Sequence, residues 1–190
     1  LLEQAPGQSL PEATRSLAAL EGAYRFLRND RVTLGKLLAP HVEATAARAR
    51  AATTTVVVAH DTTEFRFEGR SERRGLGEVA RGGQGFFGHV ALAVTEERQA
   101  LGVLGFNVVV RPKERAMHRE LIGYPDRSTA HEGTRWRALL EEVQASVGDT
   151  LPIHVMDREA DEFDLLADMS EMGCRFVVRM NVARKRRVTR

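Results

Sequence analysis

Two short apolar runs in this sequence each lead into an aspartate. TTTVVVA (residues 53–59) is followed by His60 and Asp61, and PIHVM (152–156) by Asp157. Both runs have the β-branched, apolar composition of a strand inside a sheet. If the two strands lie side by side and parallel, their last residues meet at one sheet edge, where open α/β sheets place ligands. Two carboxylates that close repel unless a cation stands between them, and hard oxygen donors select Mg²⁺ or Mn²⁺ over zinc. The chemistry such a pair suits is metal-dependent phosphoryl transfer. Either aspartate alone has an ordinary explanation as a cap on backbone N–H groups at a strand-to-turn junction. It is the pairing, through one topology, that points to chemistry.

The other elements supply that topology. Polar, glycine-bearing residues 64–85 read as a long loop. His89–Thr95 and Ala100–Val110, separated by a polar turn and closed by Pro112, read as an antiparallel hairpin. Trp136, Leu139, Leu140, Val143 and Val147 recur at helical spacing within Thr134–Val147, which Gly148 ends. A further helix from about Ala160 to Met172 turns Phe163, Leu166 and Met169 inward, with Gly173 behind it and a last strand at Arg175–Met180. The order β-β-β-α-β-α-β describes an α/β fold of ribonuclease-H-like architecture: a mixed sheet with helices on its faces, whose first and fourth strands are parallel neighbours. Before it, residues 1–51 read as a helical arm, leaving residues 52–190 as the core domain. In the arm, Ser9 and Glu12 stand at capping-box spacing around Pro11, and Leu17, Leu20, Tyr24 and Leu27 at helical spacing. Thr33 starts another helix, which Pro40 ends before a third runs to about Arg50.

Three segments, HDTTEF (60–65), MDREADEFDLL (156–166) and EGAYRFLRN (21–29), resemble bacterial insertion-sequence transposases of the DDE class. Within that class the likeness is to the cut-and-paste kind found in the kanamycin-resistance composite transposon. It extends to Gly75–Val94, to Glu132–Leu140 around Trp136 and to Arg175–Arg179. The resemblance implies that Asp61 and Asp157 are catalytic and metal-binding, the first two members of an Asp-Asp-Glu triad holding two Mg²⁺ or Mn²⁺ ions. One ion activates water or a 3′-hydroxyl, and the other stabilises the leaving oxygen during in-line attack on a phosphodiester. It further implies DNA as partner (transposon ends and target DNA), a homodimer for the full-length protein, and a bacterial cytoplasmic location.

One departure from the pattern is large. The family's glutamate lies in a Tyr-Arg-Glu-Lys signature well beyond the second aspartate, and the 33 residues after Asp157 contain no match to it. The chain is therefore expected to stop before the third acidic residue and to be inactive alone, with a DNA-binding subdomain that is itself clipped at its start. Glu159, Asp161 and Glu162 read as solvated or capping side chains rather than a substitute ligand. Three other readings stay open: a truncated inhibitor that binds DNA or full-length subunits without catalysis, a stand-alone ribonuclease-H-like nuclease with a local third ligand, and a decayed element that folds and binds neither DNA nor metal.

Composition sets the outer bounds. With 190 residues, 43% of them hydrophobic, the chain fills one sizeable core plus a small appendage. The net charge of +2 is unevenly spread. Leu151–Cys174 carries seven acids against Arg158, whereas Arg175–Arg190 carries seven bases and no acid. That is the pattern of a cation site beside a phosphate site, or of a solvated helix face beside a ragged end. Arg25 and Arg28 in the arm, Arg73 and Arg74 in the loop, and Arg184, Lys185, Arg186 and Arg187 in the tail are candidate DNA contacts. No apolar run is long enough for a bilayer and no signal pattern opens the chain, so a cytoplasmic, membrane-free protein is expected. Cys174, beside Phe176–Val178, reads as a buried thiol. The six histidines show no zinc-ligand spacing, and His60 points to the strand face opposite Asp61. GQGFFG (83–88) precedes a strand and is not a nucleotide loop; its Phe86 and Phe87 read either as core or as rings that stack on a displaced base.

Overall fold

The computed structural model describes residues 7–14, 16–69, 71–111 and 130–181. The chain forms two compact units, Leu1–Pro40 and His41–Arg190.

The first unit is helical. At the start of α1 (Leu10–Ala13), the backbone N–H and hydroxyl of Ser9 both donate to the Glu12 carboxylate, at 3.0 and 2.7 Å. This helix stops after one turn instead of running on. A new one, α2 (Leu17–Leu27), begins where the Ser16 hydroxyl accepts the Ala19 N–H. The Thr33 hydroxyl likewise accepts the Lys36 N–H at the head of α3 (Leu34–Ala51). Pro40 lies inside α3 and does not end it. Proline forfeits a helical hydrogen bond, but Thr45, Ala46 and Ala49 beyond it are buried in the second unit, and that packing carries the helix through. The second unit accordingly begins at His41, whereas the sequence sets the boundary at residue 52.

The second unit is a mixed α/β arrangement. Its strands are β1 (Val56–Phe67), β2 (Gly77–Val79), β3 (Gly83–Thr95), β4 (Ala100–Val109), β5 (Ile153–Met156) and β6 (Arg175–Val178). The sheet order is β2-β3-β1-β5-β6, with β4 also paired to β3. The pairings among β1 to β4 are antiparallel, and β1–β5 and β5–β6 are parallel. Helices α4 (Ala130–Val147) and α5 (Phe163–Glu171) end at Gly148 and Gly173, whose φ of +60° and +68° suits glycine at a helix C-terminus.

Alternation along the strands decides which face is covered. Val56, Val58, Ala91, Ala93 and Leu104 pack against Ala46 and Ala49 of α3 and Leu139, Val143 and Val147 of α4. A second cluster joins Trp136 and Leu140 to Met156, Leu165 and Met169. Both clusters lie on one side of the sheet. The other side leaves Val155 36% and Val177 58% exposed. Phe163, expected inward, is 77% exposed: α5 starts only at this residue, after a 3-10 turn at Arg158–Ala160, and its inward positions are Leu165 and Met169.

Three strand limits differ from those expected. β1 pairs with β3 without interruption from Val56↔Thr95 to Phe67↔Gln84, so it runs past Asp61 into the expected loop. β3 begins at Gly83, making GQGFFG strand, and β2 occupies part of the same loop. The charged Glu64 and Arg66 alternate with Phe65 and Phe67, and those charges hide a two-residue period from a composition-based reading. Pro112 lies outside the described residues.

Candidate functional site

Asp61 sits mid-strand, because β1 follows β3 further than β5 follows β1. β5 stops at Met156, which pairs with His60, so the next residues, Asp61 and Asp157, are neighbours across the parallel pair. Adjacent strands are about 4.8 Å apart, so the two carboxylates spring from backbones separated by little more than that. Both residues are exposed. One oxygen of Asp157, Oδ1, accepts the Glu159 N–H at 2.9 Å and caps the 3-10 turn. Asp157 thus has the ordinary junction role and the adjacency together. Two exposed carboxylates on neighbouring strands suit a hard divalent cation that keeps much of its water. Among the described residues, no group of three or more His, Cys, Asp or Glu is placed to hold a metal ion.

Of the acids that follow, Asp161 departs from expectation. It is 1% exposed, and its Oδ2 accepts the Asn181 N–H at 2.8 Å, tying the chain after β6 to the turn after β5.

Beneath the aspartates lies a feature that the sequence did not disclose. His60, on the core side of β1, is 4% exposed, and its Nε2 is 2.9 Å from Nδ1 of the fully buried His154. His89 Nδ1 is 2.8 Å from the Thr62 hydroxyl, and its ring meets Trp136 edge-on at 4.0 Å between centroids. Burial, then the neighbouring His154 and His89, lowers the pKa of His60 to about 2; burial lowers that of His154 to about 4. Both rings are therefore neutral at ordinary pH. The three histidines come together on a diagonal of core-facing positions, His154 level with Val58 and His89 level with Thr62, two residues to either side of His60 on β1, a signal readable only once the register is known.

The candidate DNA contacts divide between the units. Arg25 pairs with Glu21 at 2.6 Å, and the Arg28 guanidinium lies 5.9 Å from the Tyr24 ring centre, both in the first unit. In the second, Arg73 donates to the Glu68 carbonyl and lies 5.5 Å over the Phe67 ring, while Arg74 is an exposed turn residue. Arg184, Lys185, Arg186 and Arg187 lie outside the described residues. Cys174 is buried, its Sγ 3.2 Å from the Gln144 amide nitrogen.

Residues 1–32 match the transposase DNA-binding family. The matched stretch contains α1, α2, Arg25 and Arg28, and the match supports a transposase-related DNA function. No curated protein matches the chain. Among solved structures, the Mos1 transposase paired-end complex with left transposon end is similar at a TM-score of 0.40 and 11% identity, over 92% of this chain and 55% of that one. The present chain thus spans about half the length of that transposase. No helix among the described residues is long and apolar enough to cross a membrane.

Proposed function

We propose that this chain is part of a DDE-class, cut-and-paste DNA transposase of the bacterial insertion-sequence kind, in which Asp61 and Asp157 are the first two carboxylates of the catalytic triad. The observation that carries the reading is their adjacency, one position beyond the paired His60 and Met156 of two parallel strands. The family match at residues 1–32 supports DNA as the partner. The strand order, with β1 between an antiparallel β3 and a parallel β5, supports a ribonuclease-H-like core.

On this reading Asp61 and Asp157 hold Mg²⁺ or Mn²⁺, which when bound supplies activation of the attacking oxygen and relief of charge on the leaving one. The Glu159 N–H fixes the carboxylate of Asp157. Arg25 and Arg28 meet backbone phosphates, which position DNA without reading its sequence. Among the described residues no third carboxylate joins the two aspartates, so on this reading the 190-residue chain binds DNA without cutting it. The engagement of Asp161 by Asn181 counts against a self-sufficient nuclease using that residue as third ligand.

The test is Mn²⁺ titration by electron paramagnetic resonance on the wild-type chain and on the Asp61→Asn and Asp157→Asn variants. A site lost in each variant supports the reading, and Mn²⁺ binding unchanged in both overturns it. Salt-sensitive DNA binding with no metal site would leave the non-catalytic inhibitor. Mg²⁺-dependent cutting by this chain, abolished by Asp157→Ala, would establish the stand-alone nuclease.

A further inference from the structure

The face of β1 that carries Asp61 continues as Thr63, Phe65 and Phe67, since side chains alternate along a strand. Phe65 stands opposite Phe86 of β3 in register, and their rings stack with centroids 4.8 Å apart and planes 17° apart. Phe106 of β4 meets Phe65 edge-on at 6.4 Å, and Phe67 leans on Phe86 at 6.0 Å. Gly88 makes room for this group: a Cβ there would come within 2.5 Å of Phe106 Cζ and 2.7 Å of Phe65 Cε2. The two cores, and the helix residues that build them, belong to the opposite face. Phe65 is left 38% exposed at the top of the stack. The neighbouring Phe87 faces the other way, with the Arg111 guanidinium 4.2 Å over its ring, so the pair Phe86–Phe87 is split between the two faces.

The geometry points to a stacking site for an unpaired nucleobase on Phe65 and Phe86, on the same sheet face as Asp61 and roughly 13 Å along β1 from it. Three features select a nucleobase over an apolar peptide. Phe65 is exposed at the end of the stack, and an exposed aromatic ring accepts any base because every base has a π-face. The Arg73 guanidinium at the rim, over Phe67, brings the positive charge that a nucleotide phosphate needs. The strand leads from the rings to a carboxylate assigned to phosphodiester chemistry. Only this last point rests on the function proposed above.

The experiment measures anisotropy of a short labelled oligothymidylate and of a fully paired duplex with the full chain, in the absence of metal. Phe65→Ala should weaken single-strand binding roughly tenfold and leave duplex binding unchanged. Phe65→Trp should retain the affinity, and its indole should be quenched by the oligothymidylate above the background of the buried Trp136, which is 2% exposed. Circular dichroism checks that Phe65→Ala folds, and if it does not, the quenching of Phe65→Trp decides between the outcomes. Unchanged single-strand affinity in a folded Phe65→Ala, an unquenched Phe65→Trp with oligothymidylate bound, or no single-strand binding by the wild-type chain would each overturn the platform. So would a Phe65→Ala effect confined to self-association in sedimentation, which would mark the rings as a protein contact. Failure of the Mn²⁺ test beside a positive quenching result removes only the transposase reading, so the two failures are distinguishable.

Discussion

Acid should unfold the sheet unit through its two linked histidines. In the unfolded chain each imidazole takes up a proton near pH 6.5, whereas in the fold burial holds His60 to about 2 and His154 to about 4. With folded-state values depressed in this way, protons bind first to the unfolded chain as the pH falls. Stability is therefore full above pH 6.5 and is lost as the pH drops towards 4. Each histidine gives a slope of ~1.4 kcal/mol per pH unit, and the two together ~3 kcal/mol per unit. Lowering the pH from 6.5 to 5 then costs ~3 kcal/mol, a large part of the ~5–15 kcal/mol that holds a typical domain together. The assay is urea unfolding, followed by circular dichroism, at several pH values between 7 and 5. Replacing both partners, His60→Leu with His154→Leu, leaves neither ring unsatisfied and should flatten this slope. A double variant that loses stability with acid as steeply as the wild-type chain would refute the argument, since the carboxylates and remaining histidines would then account for the whole effect.

Three further outcomes follow from local geometry. Gly105→Ala would drive its Cβ into Leu139, itself 0% exposed, and should lower stability by about 1–3 kcal/mol in thermal melts. Asp161→Ala leaves the Asn181 N–H without its acceptor and should cost about 1–3 kcal/mol, whereas Asp157→Ala, which removes only an exposed cap, should cost about 1 kcal/mol; equal melting points for these two variants would contradict the burial difference. Ser16→Ala removes the cap on α2 and should lower helix stability by about 1 kcal/mol, with no change in Mn²⁺ binding by the second unit.

The helices of the second unit were legible because their evidence is local. Trp136, Leu139, Leu140, Val143 and Val147 repeat at the helical period and Gly148 marks the end, and none of this needs a partner. Strand limits depend on partners, and there the sequence was less informative. Thr62–Phe67 becomes strand because β3 offers hydrogen bonds as far as Gln84, while its own composition, with Glu64 and Arg66 interleaved, reads as loop. Pro40 shows the converse: a strong local stop signal yields to the burial of Thr45, Ala46 and Ala49 further along the same helix. In each case tertiary contacts outweighed local propensity.

The same distinction governs the site. Asp61 and Asp157 were expected to meet as two strand ends; they are neighbours although only Asp157 follows a strand end. What brings them level is the register of β1 against β5, and that register is set by burial. Val58 and His60 face the core from one strand, His154 and Met156 from the other, and a slip of β5 by one residue would turn His154 and Met156 away from it. The histidines escaped notice because their meeting is a product of this register, not of spacing, just as the contact of Asp161 with the Asn181 N–H joins residues twenty apart. The two carboxylates consequently differ in how they are held. Asp61 is carried by a strand paired on its β3 side for six more residues, so its backbone is fixed by the sheet. Asp157 stands where β5 has ended and is held by the Glu159 N–H. A ligand that draws the two carboxylates together would therefore move Asp157 and its turn, leaving β1 in place.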